Sequence, residues 1–351
     1  MQKLAVFGGT GIIGRSIIEY LDTQDDWQGI GVARHKQQIS EFTPFVELDL
    51  LQPKLSDAAK NQFADITHAV YAAYVSHNDK FKENDLNVQM FQGAITALKT
   101  AAPNLKRVVL MQGVKAYGVH LGPFKTPAKE SDPRHLPPNF YYDQEDILKE
   151  TAAQQGWEVT VLRPDVLCGF SIGTPMSIVL VIAAYAEICR FYGLPMRFPG
   201  KVGAYNALAQ VTDAELLAKA VLWAATEPRA AGETYNITNG DLFRWKYLWA
   251  RLADYFEMEV AEPQTISLST MMADKASIWK EIQQRHNLKP VAFEDLAAWW
   301  FGDFIFGCDY DVISDTTKIK LHGFKEIVDS TEMFVRLLDR YRAEKVLPKS
   351  K

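Results

Sequence analysis

The sequence predicts an α/β protein, a doubly wound parallel sheet followed by a smaller, mainly helical region. Three observations carry that reading. Short β-branched runs alternate with helical stretches through the first half of the chain. A glycine-rich turn follows the first of those runs. With 48% hydrophobic and 23% charged residues among 351, the chain has ample apolar surface for two cores. Taken in order, strands are expected at residues 3–7, 29–33, 45–48, 68–72, 107–112 and 158–162, with helices between them such as 14–22 and 87–101. A late run, 233–238, reads as a strand that returns to the same sheet. Residues 125–138 are rich in Pro, Lys and Asp without an apolar period, which predicts a surface loop. The longest apolar run, 178–186, stops at Glu187 and Arg190, well short of the roughly 20 residues of a membrane span, and predicts a buried helix. The expected division is a nucleotide-binding domain over 1–167 with its return strand near 230–240, and a substrate-binding region over 168–229 and 241–351.

Composition removes several classes of function. A net charge of −5 is the wrong sign for a nucleic-acid binder. Cys168, Cys189 and Cys308 are odd in number and widely spaced, which describes neither a disulfide framework nor a metal site. Met1-Gln2-Lys3 leads into an apolar stretch too short for a signal peptide. The expectation is a cytoplasmic protein with no membrane, nucleic-acid or metal partner.

The first strand runs into Gly8-Gly9-Thr10-Gly11-Ile12-Ile13-Gly14 and then a helix. Glycines let the backbone approach a pyrophosphate, whose charge sits on the N–H groups at the helix start. That strand, turn and helix at the chain's beginning point to a Rossmann-type dinucleotide site using Gly8, Thr10, Gly11, Ile12, Ile13 and Gly14. Twenty residues beyond Gly14, where NAD enzymes place an acid for the ribose 2′-OH, stands Arg34, followed by His35 and Lys36. No acid occurs between residues 29 and 40. A guanidinium grips a 2′-phosphate that an acid would repel, so the expected cofactor is NADPH, with Arg34 and His35 at the phosphate. Asp49-Leu50, after the third strand, is similar to the pair that flanks the adenine ring in short-chain dehydrogenases.

Such enzymes normally carry Tyr-x-x-x-Lys on one helix, which brings an ammonium near a phenol and lowers its pKa. Here that spacing occurs only at Tyr341 and Lys345, far beyond the sheet, and reads as a solvated pair on a terminal helix. In the expected region stand Tyr141 and Tyr142, with Glu145 and Asp146 four positions later in place of a lysine. A carboxylate there would raise the phenol pKa. Lys115, just beyond the fifth strand, offers a cation from another element, because loops at the carboxyl ends of parallel strands converge on the nicotinamide.

The motifs Gly113-x-Lys115, Gly122-Pro123-Phe124, Asn139-Phe140-Tyr141-Tyr142-x-x-Glu145-Asp146, Arg163-Pro164, Asn236-Ile237-Thr238-Asn239-Gly240-Asp241 and Trp299-Trp300-Phe301-Gly302-Asp303 span nearly the whole chain. Together they resemble the progesterone 5β-reductase/iridoid synthase family of short-chain dehydrogenases, which reduce activated C=C bonds with NADPH. The resemblance implies that Tyr141 and Lys115 are catalytic and also contact the cofactor, as does Val166. It places Tyr117, Phe301 and Phe304 beside a small hydrophobic enone or enal, and makes a homodimer an expectation. The family's lysine is commonly followed by His-Tyr. This chain has Ala116-Tyr117 and a longer loop, Gly118 to Leu121, before Gly122-Pro123-Phe124, so plant-type substrates do not carry over with the motif. Two other readings stay open at this point: a carbonyl reductase or sugar-nucleotide epimerase/dehydratase of the same fold, and a non-catalytic NADP sensor.

Overall fold

The computed structural model describes residues 1–35 and 39–349. Strands β1 (Gln2–Phe7), β2 (Trp27–Ala33), β3 (Phe45–Glu47), β4 (His68–Tyr71), β5 (Arg107–Met111) and β6 (Glu158–Pro164) form one sheet with a last strand, Thr234–Ile237. From one edge the order is Thr234–Ile237, β6, β5, β4, β1, β2, β3, and every pairing is parallel. All residues of β4 and β5 are buried, as a parallel sheet covered on both faces requires. The chain winds from β1 to β3 in one direction and from β4 to β6 in the other. The order therefore reverses between β1 and β4, the kind of crevice where open α/β sheets bind ligands. The expected strands and the return strand are all present, within a few residues of their predicted ends.

The helices that matter for the site are α1 (Ile12–Leu21), α2 (Asp57–Phe63), α3 (Lys80–Ala101), α4 (Phe140–Gln155) and α5 (Ile178–Phe191). Helix α3 begins seven residues before its expected start at 87. Its first turn is charged and shows no apolar spacing, but the Asp79 carboxylate caps it by accepting from the N–H groups of Phe81 and Lys82.

The chain folds as two compact units. One contains Met1–Asp165, Ala214–Ile237 and Ser314–Glu326, the other Val166–Asp213, Thr238–Ile313 and Ile327–Lys351. This corrects the expected boundary, which gave 168–229 to the helical region. Helix Ala214–Thr226 belongs with the sheet, where it packs on α1, β5 and β6. Buried Arg107 of β5 fastens its end, donating to the carbonyls of Ala224 and Glu227 at 2.7 and 2.8 Å. Chain order alone does not reveal which surface an amphipathic helix will cover. Residues 125–138 are mostly exposed, as expected for a loop, yet Ala128 is fully buried and bridges to Ser314. In the second unit, residues 178 to 189 of α5 are buried without exception. They pack in a core with Trp249, Trp279, Phe306, Phe334 and Tyr341. Among the described residues no helix is long and apolar enough to cross a membrane.

Candidate active site

The glycine turn is built for a close-fitting ligand. Gly8 has φ +85°, and a Cβ there would lie 2.8 Å from the Ala73 nitrogen at the end of β4, so a side chain is excluded by both conformation and space. At Gly14 a Cβ would lie 2.2 Å from the Gly8 carbonyl oxygen, which presses α1 directly onto the turn. Gly11 opens α1 without a side-chain cap. First-turn N–H groups of an uncapped helix are the donors that bind phosphate. Thr10, Ile12 and Ile13 complete this segment, with Ile12 buried and Ile13 half-buried. The turn thus fits a dinucleotide pyrophosphate.

Arg34 and His35 follow β2 directly and are exposed, and Lys36 lies outside the described residues. Asp49 is exposed and accepts from the Leu51 N–H at 3.0 Å. Leu50 is buried, and its carbonyl comes so close to α3 that a Cβ on Gly93 would lie 1.9 Å away.

At the end of β5, a single helical turn, Val114–Tyr117, presents Lys115. Its backbone is pinned: the Lys115 carbonyl accepts from Asn139 Nδ2 at 2.9 Å and lies 2.9 Å from His135 Nε2. Its ammonium lies 3.7 Å from the Glu83 carboxylate and 5.7 Å from the Tyr74 ring centroid. Burial pulls the Lys115 pKa down; Glu83 opposes that pull and Lys80 adds to it. The Tyr141 hydroxyl sits over Gly113, where a Cβ would come within 3.2 Å of it. No hydrogen bond joins this hydroxyl to a described residue. Burial, reinforced by the neighbouring Tyr74 phenol and the Glu83 carboxylate, holds the phenol well above its ordinary range. Tyr141 and Lys115 therefore share neighbours rather than a direct bond.

Each residue of Asn139-Phe140-Tyr141-Tyr142-x-x-Glu145-Asp146 has a separate task. Asn139 caps α4 by accepting from the Tyr141 N–H, while its amide holds the Lys115 carbonyl. Phe140 stacks on Tyr74 with centroids 5.8 Å apart. Tyr142 donates to the Ala116 carbonyl at 2.8 Å and accepts from the His135 N–H at 3.2 Å. Glu145 was expected to act on a tyrosine, but it faces away. It bonds Lys149 and Gln112 and lies 3.5 Å from Arg163. Burial opposes its ionisation, yet these donors outweigh that and keep the carboxyl below the usual range. Asp146 is taken up in a two-pronged bond with Arg134, both contacts at 2.7 Å. The carboxylate that does reach the Tyr141 neighbourhood is Glu83, which the sequence reading missed. Nothing local marks it, because its partner Lys115 lies 32 positions away.

Tyr117 is buried, and its hydroxyl donates to Asn236 Oδ1 at 2.6 Å while accepting from Arg163 at 3.2 Å. Its polar end is therefore committed to the protein. Asn236 uses its remaining groups on Glu130, Ala128 and Asp315, which explains the first residue of the Asn236 to Asp241 motif. In the second unit, Asn239 accepts from the Asp213 N–H and Asp241 accepts from Ser330. Val166 opens that unit, its carbonyl accepting from the Thr212 N–H at 2.9 Å.

Phe301 and Phe304 lie half-buried on helix Trp299–Gly307 against the second unit's core. Gly302 faces Val181 and Leu268 too closely for a side chain, and Asp303 accepts from the N–H groups of Leu268 and Ser269. The Tyr341 and Lys345 pair does not have the solvated character expected of it. Tyr341 is fully buried, with its hydroxyl between the Ser171 N–H and the Gly169 carbonyl, both at 3.1 Å. Lys345 lies past the helix end with φ +57°. Hydrophobic packing of the terminal helix overrode the surface reading.

Residues 43–348 match the model of the PRISE-like Rossmann-fold domain. The (S)-8-oxocitronellyl enol synthase of Nepeta cataria is 34% identical over 364 aligned positions, covering 98% of this chain and 92% of that protein. The 3-oxo-Delta(4,5)-steroid 5-beta-reductase of Arabidopsis thaliana is 33% identical with the same coverage. Among solved structures, the UDP-glucose 4-epimerase of Thermotoga maritima superposes with a TM-score of 0.69 at 17% identity, over 97% of this chain and 99% of that one. That likeness speaks for the fold alone. The family match runs through the glycine-free remainder of the sheet, the Tyr141 motif and the terminal helix alike, and the chain belongs to the PRISE-like Rossmann-fold family.

Proposed function

We propose that the chain is an NADPH-dependent ene-reductase acting on the activated C=C bond of a small hydrophobic enone or enal. One observation carries the reading: a half-buried phenol with no hydrogen-bond partner among the described residues, Tyr141, and an ammonium from a different element, Lys115, stand at the carboxyl end of β5. Its environment keeps the Tyr141 proton on oxygen, so the group acts as a donor and not as a base. The residues of the glycine turn would hold NADPH, which would supply hydride to the β-carbon of the substrate, and the enolate so formed would take its α-carbon proton from solvent. Tyr141 donates to the carbonyl oxygen, where negative charge gathers in the transition state, and Lys115 offsets that charge from nearby. Arg34 and His35, exposed beyond β2 in a stretch of sequence (29–40) that contains no acid, suit a 2′-phosphate. The family resemblance assigns Asp49 and Leu50 to the adenine, Val166 to the cofactor, and Phe301 and Phe304 to the substrate, for which half-buried aromatic rings suit an apolar ligand. Two relatives bear the names of an enol synthase and a steroid 5-beta-reductase, in keeping with reduction next to a carbonyl.

The test follows NADPH absorbance with a panel of cyclic enones, simple enals and saturated ketones, with product identification. Saturated carbonyl products from the enones support the proposal. Alcohols formed from the ketones would favour the carbonyl-reductase reading, and no NADPH consumption with any enone refutes the ene-reductase.

A further inference from the structure

We propose that Glu83 is a positioning residue for the reaction: its buried carboxylate anchors the Lys115 ammonium from a separate helix, replacing the one-helix Tyr-x-x-x-Lys arrangement that is missing at Tyr141. The inference rests on the reading of Lys115 as the active-site cation. Glu83 sits in the first turn of α3 and is only 4% exposed. Its two oxygens gather the His77 N–H at 3.0 Å, Lys80 Nζ at 2.9 Å, Lys115 Nζ at 3.7 Å and the Tyr74 hydroxyl. The anchor itself is held. Asn87, one turn along α3, clamps both the N–H and the carbonyl of Val75, at 3.0 and 2.8 Å, and so fixes the loop leaving β4.

A half-buried ammonium loses hydration and stays charged only where an anion compensates. Glu83 is that anion. The other groups facing Lys115 are Lys80 of α3, His120 of the turn Val119–Leu121 and the Tyr74 ring. Lys80 is cationic, His120 is neutral because burial and then Lys115 hold its pKa down at about 4, and neither they nor the ring supplies negative charge. Lys80 shares the carboxylate and competes for it.

The alternative is that Glu83 only ties down the loop through His77. Glutamine keeps an acceptor for that N–H but removes the charge, which separates the two roles. The experiment is competitive acetic anhydride labelling of Lys115 in the full chain across a pH series, read by peptide mass spectrometry. Glu83→Gln is expected to lower the labelling midpoint by at least one pH unit, a tenfold change in affinity for the proton. Glu83→Asp should recover part of the shift. Lys80→Met, at an exposed position, should move the midpoint upward. Enone turnover should fall in Glu83→Gln and be partly rescued in Glu83→Asp. A folded Glu83→Gln with an unchanged Lys115 midpoint overturns the proposal. Should that variant fail to fold, an unchanged midpoint in Lys80→Met overturns it as well. Wild-type protein that reduces no enone while the midpoints still shift sinks the reductase reading and leaves the anchoring of Lys115 standing.

Discussion

Replacing Tyr141 by phenylalanine removes one oxygen atom and leaves the ring between Phe140 and Gly113. In the resting protein that oxygen bonds no described residue, so folding stability should be unchanged within about 0.5 kcal/mol, the range of substitutions that break no contact. In the transition state the same oxygen is the donor to the developing charge. Losing such a donor lowers kcat by about 10²–10³, roughly 3–4 kcal/mol. The neighbouring change, Tyr142→Phe, should behave in the opposite way. Its hydroxyl joins the Ala116 carbonyl at 2.8 Å and the His135 N–H at 3.2 Å, and stranding those groups should cost about 1–3 kcal/mol of stability. Its kcat should change by less than about tenfold. Lys115→Met should fall between the two in kcat. Steady-state turnover of a cyclic enone at saturating NADPH, paired with urea unfolding of each variant, reads both axes at once. An enal, already activated, should show a smaller loss in Tyr141→Phe. If Tyr142→Phe lost more turnover than Tyr141→Phe, or if both kept full activity with NADPH bound, the donor assignment would be wrong.

Four further outcomes are expected. NADPH should bind at least about tenfold more tightly than NADH, and Arg34→Ala should erase that preference in a calorimetric titration of both cofactors; one bidentate phosphate contact supplies the roughly 1.4 kcal/mol involved. Gly14→Ala places a methyl 2.2 Å from the Gly8 oxygen and 2.6 Å from the Gly9 Cα, both backbone atoms that cannot swing aside, so dinucleotide binding should fall at least about 100-fold, roughly 2.7 kcal/mol, by fluorescence titration. Tyr341→Phe strands the Ser171 N–H and should lower stability by about 1–3 kcal/mol in urea unfolding while leaving kcat nearly unchanged. Finally, burial and then Arg107 and Lys106 hold the His68 pKa down at about 4, against 6.5 for the free side chain. The unfolded chain therefore takes up the proton first. His68 should remove stability as pH falls from about 6.5 to about 4, and a comparison of wild type with His68→Gln across that window isolates the effect.

The sheet was legible because buried parallel strands announce themselves as short β-branched runs, and β4 and β5 are such runs. The glycine turn was legible because Gly8 and Gly14 answer to constraints within a few residues of each other. The site was legible only where its motif is local. Asn139, Tyr141 and Tyr142 are neighbours in sequence, and their roles follow from the start of one helix. Glu83 escaped notice because an acid in a first turn is common on dipole grounds alone, and its real partners sit at the ends of other strands. Glu145 misled for the complementary reason. Counting four residues along a helix places two side chains on one face, but Lys149, Gln112 and Arg163 draw the carboxylate elsewhere. The placement of helix Ala214–Thr226 and the burial of Tyr341 depend on packing partners more than 100 positions away, which no window of sequence contains.

The sheet unit is assembled from three separate stretches of chain, and this limits how the protein can be made and divided. Until residue 237 has left the ribosome, β6 is an open edge with its Val161 N–H unpaired, a template for another chain. The cofactor half is not a portable module. The shortest continuous segment that contains all of it runs from Met1 to Glu326 and carries most of the other unit along. Recombination that swaps substrate-binding halves between relatives must therefore exchange inserts within a host, through four junctions near residues 165, 214, 237 and 314 and a fifth near 326, rather than join two ends.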